Sequence, residues 1–403
     1  MMNYLKIVLA FCAFVTAISY GDLLAQIAVK GETVYTMNGD PVSNGVVLIQ
    51  NGKIERVGTD NRISIPNGYE IYEAKVVTPG LIDARSVVGL SGILNQEHDQ
   101  DQLELSNAFQ PDLRAIDAYN AREDLVKFLL DKGITAVHTG HGPGAVVSGQ
   151  TMIAKTAGKT LEQSLVDSVT AISITLGAGI HNEYSSPGTR AKAVAILRQH
   201  LINGQQYAEK RRSDNPPDRD LNKEVIADLI DGKIYAMIHV QRANDIMTAL
   251  RLQKEFGFRM LLEGAAEAYL VKVEIREAGI PVLIHPTMVR TSGGTQNASF
   301  ETAGHLAEAG IPVLFQSGFE SYVPKTRVVL YEAAIAVANG MDYNDALKAL
   351  TIDAATILGI ENRVGTLEND KDADLVLFDG DPFEYTTKAA VVIVNGQVMK
   401  GEQ

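Results

Sequence analysis

Cysteine is all but missing: Cys12 is the only one in 403 residues, and it sits inside an N-terminal apolar run. Beyond that run the chain has no disulfide and no thiolate chemistry, so a soft metal site would have to rest on His. Cations are scarce as well, with 36 Lys and Arg against 49 Asp and Glu for a formal charge of −13. Such a balance argues against a nucleic-acid footprint, which needs a basic patch to displace counterions, and against electrostatic docking on anionic lipid. No Gly-x-Ser-x-Gly nucleophile elbow, phosphate loop or His-Glu-x-x-His zinc motif is present. With 46% hydrophobic residues the chain is nevertheless too apolar for intrinsic disorder. Its length suits two or three domains, or one α/β barrel with an accessory unit.

Long apolar runs are confined to the start. Lys6 precedes a 12-residue run from Ile7 to Ile18, apolar but for Thr16, and Leu23-Leu24-Ala25 stands just before Gln26. This is the order of a secretory signal peptide over 1–25, and its run is shorter than the ~20 residues a spanning helix needs. The alternatives are an uncleaved anchor or a buried N-terminal helix. A lipoprotein reading on Cys12 is opposed by bulky Phe11 and by the position of Cys12 in mid-run. The expectation is a secreted or periplasmic protein with no membrane span after processing.

From 27 to 78 short strand patterns (27–29, 32–37, 45–50 and 54–57) are separated by Gly, Asn, Asp and Pro, with Asn51-Gly52 as a hairpin signal. From Pro79 onward short apolar runs alternate with helical patterns. Expected strands are 81–83, 135–138, 171–176, 234–240, 260–262, 281–285 and 312–315. Expected helices are 121–131, 191–210, 245–256, 266–278, 301–309 and 327–339, followed by 343–350 and 352–358. Such alternation implies parallel strands with crossover helices. Runs such as Ala236-Met237-Ile238 are apolar on both faces, as a doubly covered sheet requires. Strand texture returns at 373–378 and 390–394, with Asn395-Gly396 as a second tight turn. Two short β segments that cannot each hold a core are best explained as one unit. The fold class is therefore α/β: a (β/α)₈ TIM barrel over 79–361 plus a small composite β-sandwich from 26–78 and 362–403. A doubly wound open sheet is the structural alternative, but no Gly-rich dinucleotide loop follows the first strand. The charged stretch 210–220 reads as a solvated connector.

Several stretches carry a resemblance. Val77-Thr78-Pro79-Gly80-Leu81-Ile82-Asp83-Ala84 leads into the first barrel strand; Val364-Gly365-Thr366-Leu367-Glu368 and Lys371-Asp372-Ala373-Asp374-Leu375-Val376 lie near the other end. In these the chain resembles the amidohydrolase superfamily, in particular its imidazolonepropionase-like members, across nearly the whole mature sequence. Asp370 stands where that family usually has Gly. The resemblance implies hydrolysis of non-peptide C–N bonds, in cyclic amides or related compounds. It also implies one or two divalent metals at the C-terminal mouth of the barrel, where a metal acidifies bound water and polarises a carbonyl.

The ligand set that the resemblance implies is mostly gone. Where a His-x-His is expected on the first strand, Arg85-Ser86-Val87 follow Asp83-Ala84. A guanidinium stays protonated and repels a cation, and Val87 has no lone pair. His239 matches a ligand position, Gly264 stands where His is expected, and Phe315-Gln316-Ser317-Gly318 lacks the Asp of the last strand. The site reads as degenerate, with His239 as a vestigial ligand, no cofactor, and at most weak or residual zinc. His138, His141, His181, His239 and His285 fall at or past expected strand ends, which converge at a barrel mouth, so a rebuilt His site and plain structural roles both stay open. Arg85 either replaces the metal's charge, paired with Glu263 or Glu320, or reaches solvent. Two functions stay open: a hydrolase with a reduced site, or a non-catalytic relative. The relative would bind a small molecule at the mouth, form a homo-oligomer, or pair with an active homologue.

Overall fold

The computed structural model describes residues 26–94, 96–180, 182, 184–284, 287, 291–318 and 328–401. The signal-peptide reading, His181, His285 and Glu320 lie outside them. Among the described residues the strands form two sheets, and no helix is long and apolar enough to cross a membrane.

The first sheet has seven strands and takes them from both ends of the chain. Strands β1 (Ile27–Val34), β2 (Val42–Gln50), β3 (Lys53–Thr59) and β4 (Glu70–Pro79) come from the N-terminal segment. The Asn51-Gly52 turn joins β2 to β3, with Asn51 at φ +53° and Gly52 at φ +78°, as a tight hairpin demands. The C-terminal strands are β13 (Leu375–Phe378), β14 (Ala389–Val394) and β15 (Gln397–Lys400), numbered after the barrel strands below. The ends meet where β13 runs antiparallel to β4, Leu375 opposite Pro79 and Leu377 opposite Val77. Ile27, Val29, Val47, Val77, Leu375, Leu377 and Ile393 share one buried cluster drawn from both segments, while a smaller cluster of Ala28, Val46, Leu48 and Ile63 lies within the N-terminal segment.

The second sheet has eight strands in simple order. They are β5 (Leu81–Ser86), β6 (Ile134–Gly140), β7 (Val147–Lys155), β8 (Leu165–Thr175), β9 (Tyr235–Val240), β10 (Met260–Gly264), β11 (Val282–Ile284) and β12 (Val313–Phe315). It closes on itself where Ser86 bridges Gly318 and the Gly318 amide donates to the Arg85 carbonyl at 3.0 Å. Residues alternate across the wall. Ile82, Ala136, Ile153, Ala171, Met237, Leu261, Leu283 and Leu314 fill the interior, while neighbours such as Leu81, Val137, Ile172, Ile238 and Leu262 pack outward under the helices. Those helices are α1 (Asp124–Leu130), α2 (Leu161–Ser164), α3 (Arg190–Arg211), α4 (Leu221–Ile230), α5 (Ala243–Phe256), α6 (Lys272–Ala278), α7 (Thr302–Glu308), α8 (Val329–Ala338), α9 (Tyr343–Ala349) and α10 (Ile352–Leu358). Ala354, Ala355 and Leu358 of α10 join the interior cluster and seal the foot of the barrel.

One correction to the all-parallel expectation concerns β7. It pairs antiparallel with both β6 and β8, so it runs against the other seven strands. Its sequence, Val-Ser-Gly-Gln-Thr-Met-Ile-Ala-Lys, is wholly buried yet carries Ser148, Gln150, Thr151 and Lys155, so it shows neither an apolar run nor a clean alternation. The Gly-rich stretch 139–144 accordingly belongs to a β6–β7 hairpin rather than to a strand–helix crossover. The 210–220 connector proves short: α3 runs to Arg211, and the Asp220 side chain caps α4 by accepting from the Lys223 amide.

The reversed strand delivers Lys155 to the foot, opposite Ala136 at the start of β6. There its ammonium, 3% exposed, donates to Asp372 Oδ2 at 2.8 Å, Asp374 Oδ1 at 3.0 Å and Asn395 Oδ1 at 2.5 Å. Burial pushes the Asp374 carboxyl upward against the pull of Lys155. Burial also opposes ionisation of Asp372, yet hydrogen bonds from Lys155 and Lys53, with Arg363 nearby, bring it down to about 2. The aspartates of the Lys371–Asp374 motif thus clamp the barrel to the two-ended sheet. Lys155→Met should lower stability by ~3–5 kcal/mol by leaving two buried carboxylates without their shared cation. Urea unfolding checks this, and a midpoint equal to wild type would refute the clamp.

Candidate functional site at the barrel mouth

Above the apolar interior the inward positions turn polar. One step of the pleat toward the mouth from the interior cluster come His138, Thr151, Ser173, His239, Glu263 and Gln316, joined by Arg85 at the end of β5. Strand ends are where a barrel collects side chains from many elements at one point.

Arg85 is 1% exposed and occupies the centre of this layer. Its Nη1 donates to the Ser86 carbonyl at 2.7 Å, and its Nη2 to the His141 carbonyl and to Ser173 Oγ at 3.3 Å. Its Nε faces Glu263 Oε2 at 3.5 Å. Glu263, one of the two carboxylates expected as its partner, stands beside it; the other, Glu320, lies outside the described residues. Solvent is not where this guanidinium goes. The other oxygen of Glu263, Oε1, lies 3.7 Å from His239 Nδ1, within ion-pair but beyond hydrogen-bond reach. On its far side His239 Nε2 stands 3.3 Å from Gln241 Nε2. The imidazole, 16% exposed, borders a cavity of about 190 Å³ that Leu176, Gly179, Gln241, Ser292 and Thr295 also line.

His138 has a structural task. Its Nδ1 is 3.0 Å from the Ala84 carbonyl, which can only accept, so Nδ1 carries the proton; Nε2 then accepts from the Thr151 hydroxyl at 2.7 Å. Burial, and then the neighbouring Arg85 cation, hold its pKa down at about 3. His141 is lowered to about 4 for the same two reasons, against the opposing pull of the Asp101 and Gln102 backbone. Its ring lies against Gly149, where an added Cβ would come within 2.4 Å of Cδ2. Elsewhere, His200 stacks on Phe109 with ring centroids 3.4 Å apart, and exposed His98 sits beside Asp99. Neither joins the mouth.

Asp83, Ser173, Gln241 and Ser317 belong to the layer although sequence reasoning did not select them for it. Asp83 Oδ1 accepts from the Arg85 amide at 3.2 Å and the Ser317 amide at 3.0 Å, stitching the closing seam of the barrel. Complete burial raises its pKa to about 7, against the lowering effect of the Ser317 and Arg85 bonds. The one available signal for Asp83 was its place at the end of the first strand; for Gln241 it was the two-residue step from His239.

Among the described residues no three His, Cys, Asp or Glu side chains converge to hold an ion. Asp83 Oδ1 is taken up by two amides, and Arg85 stands in the same polar layer as Glu263 and His239. At Gly264 (φ +83°) a Cβ would come within 2.6 Å of Gln241 Nε2, so a His there could not be accommodated with Gln241 in place.

A model of the amidohydrolase family matches residues 117–399. The chain belongs to the amidohydrolase family. The crystal structure of an amidohydrolase from Thermotoga maritima superposes with a TM-score of 0.87 at 28% identity, over 93% of this chain and 100% of that one. The imidazolonepropionase of Thermoplasma volcanium is 23% identical over 86% of this chain and 88% of its own length. The amidohydrolase tasK of Hapsidospora irregularis is 24% identical over 87% of this chain, which spans only 39% of that longer protein. In this amidohydrolase-family barrel, then, the polar layer stands where strand ends converge, and Arg85 lies at its centre.

Two outcomes follow for the family's barrel in this chain. Arg85→Ala should cost ~3–5 kcal/mol, since Glu263 would be left buried without its guanidinium; a loss under ~1 kcal/mol in urea unfolding would refute the buried pairing. The second concerns pH. The folded state holds His138 near 3 and His141 near 4, so between those values and their ordinary 6.5 the unfolded chain binds more protons, and stability falls as pH drops through that window. Asp83, raised from 3.8 to about 7, acts oppositely: the folded state binds its proton more tightly, and stability falls as pH rises from 3.8 toward 7. His138→Gln should therefore flatten the loss of stability on acidification from pH 6.5 to 4, and Asp83→Asn should steepen it. Unfolding midpoints measured across that range would expose either sign as wrong.

Proposed function

We propose that this chain is an exported hydrolase of non-peptide C–N bonds, in cyclic amides or similar small compounds, working without the divalent metal that its relatives would suggest. The observation that carries the reading is the Arg85–Glu263–His239 series beside the 190 Å³ cavity. Arg85 supplies fixed positive charge in place of a cation. His239 serves as general base: it takes a proton from a water in the cavity as that water's oxygen bonds to the substrate carbonyl carbon. Glu263 steadies the imidazolium, which returns the proton to the leaving nitrogen as the C–N bond breaks. A cavity slightly larger than the ~150 Å³ that holds benzene suits a single small ring. The relatives named imidazolonepropionase support the substrate class.

Export rests on the tripartite N-terminus, and the same reading folds 26–78 and 362–403 into one composite sandwich that supports the barrel without touching ligand. A second reading has one specific observation in its favour. The guanidinium of Arg85 is spent on Ser86, His141, Ser173 and Glu263, leaving little to polarise a substrate carbonyl. On that reading the mouth binds a small molecule without turnover, or the chain partners a second copy or an active homologue.

Elemental analysis of the dialysed protein should give well under one zinc per chain, and ring opening of a panel of small cyclic amides should survive a chelator. His239→Ala should lower that rate ~10²–10⁴-fold, the usual contribution of a positioned base. Stoichiometric metal that disappears in His239→Ala would sink the metal-free reading. Amides that raise the melting temperature yet are not hydrolysed would favour the binding role.

A further inference from the structure

The hydrogen bonds around His239 form a chain whose proton positions are fixed from one end. The Ala266 amide N–H can only donate, and it points at the side chain of Gln241 at 3.2 Å, so the carboxamide oxygen Oε1 must face it. The NH₂ group of Gln241 is thereby turned the other way, 3.3 Å from His239 Nε2. An amide NH₂ cannot accept, so Nε2 must offer a lone pair and the proton of a neutral His239 must sit on Nδ1. Nδ1 is the nitrogen that faces Glu263 Oε1 at 3.7 Å. The hydrogen-bonded series runs from the Ala266 N–H to His239 Nε2, and the Nδ1 proton it assigns faces the Glu263 carboxylate electrostatically, beyond hydrogen-bond reach.

We infer that Gln241 is a positioning residue that sets which nitrogen of His239 is basic, holding the Nε2 lone pair beside the cavity until a water or substrate N–H or O–H displaces its amide. This deepens the reading of His239 as the base and rests on it for its purpose, though not for its test. The local backbone is built to hold the amide there. Gly264 (φ +83°) and Ala265 (φ +54°) turn in the left-handed region immediately before Ala266 and aim its N–H at Oε1. The missing side chain at 264 leaves the space that Gln241 fills. The main chain of Gln241 is also tied in, its carbonyl accepting from the Glu267 amide at 2.9 Å. Gln241 and Gly264 thus read as a matched pair.

The test is nitrogen NMR on the purified chain with ¹⁵N-labelled histidine, His239 being assigned from the signal lost in His239→Gln. At neutral pH the wild type should show a pyridine-type Nε2 and a pyrrole-type Nδ1. Gln241→Glu keeps the shape and still accepts from Ala266, but it presents an acceptor to the ring, so Nε2 should change to pyrrole-type. A packing role alone would leave the ring's proton where it was. A wild-type Nε2 that already carries the proton overturns the inference, whether or not the variant folds. A Gln241→Glu protein with an unchanged His239 pattern does so too. Turnover enters neither readout, so a protein with the expected pattern but no hydrolysis keeps this inference and fails the hydrolase reading alone.

Discussion

A guanidinium taken out of water has to be met on several sides, and the barrel mouth is organised by how Arg85 is met. Carbonyls from Ser86 and His141, the Ser173 hydroxyl and the Glu263 carboxylate converge on it from β5, the β6–β7 turn, β8 and β10. The backbone of the same residue closes the barrel, its amide held by Asp83 and its carbonyl by Gly318. One buried cation therefore fixes the seam and the ring of strand ends together. Burial first, and then this cation, keep His138 and His141 neutral, since a second positive charge in that low-dielectric layer would be doubly penalised.

Much of this arrangement was legible in the sequence. Replacement of an expected His-x-His by Arg85-Ser86-Val87 is visible without coordinates, and so is Gly264 in place of a His. Seven barrel strands announced themselves because residues such as Val282-Leu283-Ile284 are buried on both faces and must be apolar. The eighth, β7, did not, because its polar side chains are buried with partners that only the fold supplies. Lys155 reads as a solvent residue until Asp372, 217 positions away, is brought beside it. Glu263 was identifiable as a neighbour for Arg85, whereas Ser173 and Gln241 are residue types too common for position alone to mark. His138 was singled out for its place at a strand end with a structural role left open, and the hydrogen bonds it makes fasten Ala84 to Thr151.

The Lys371–Asp374 motif shows how a family signature can carry architecture rather than chemistry. Its two aspartates touch nothing at the mouth, but they gather Lys53, Lys155 and Arg363 at the foot of the barrel, and Asp374 also accepts from the Asn395 amide. A motif of this kind identifies the fold with confidence while leaving the reaction open. What decides the reaction lies at the opposite end of the strands.

The reversed course of β7 bears on how the chain is made. Its first residues follow the turn whose carbonyl meets Arg85, and its last residue is clamped by aspartates 217 and 219 positions later. At ~5–20 residues per second, roughly 10–40 s of synthesis separate Lys155 from the groups that neutralise it. During that interval the ammonium has no buried partner and is better off hydrated, so the barrel cannot settle around it. Closure of the barrel foot therefore waits until nearly the last residues of the chain have emerged.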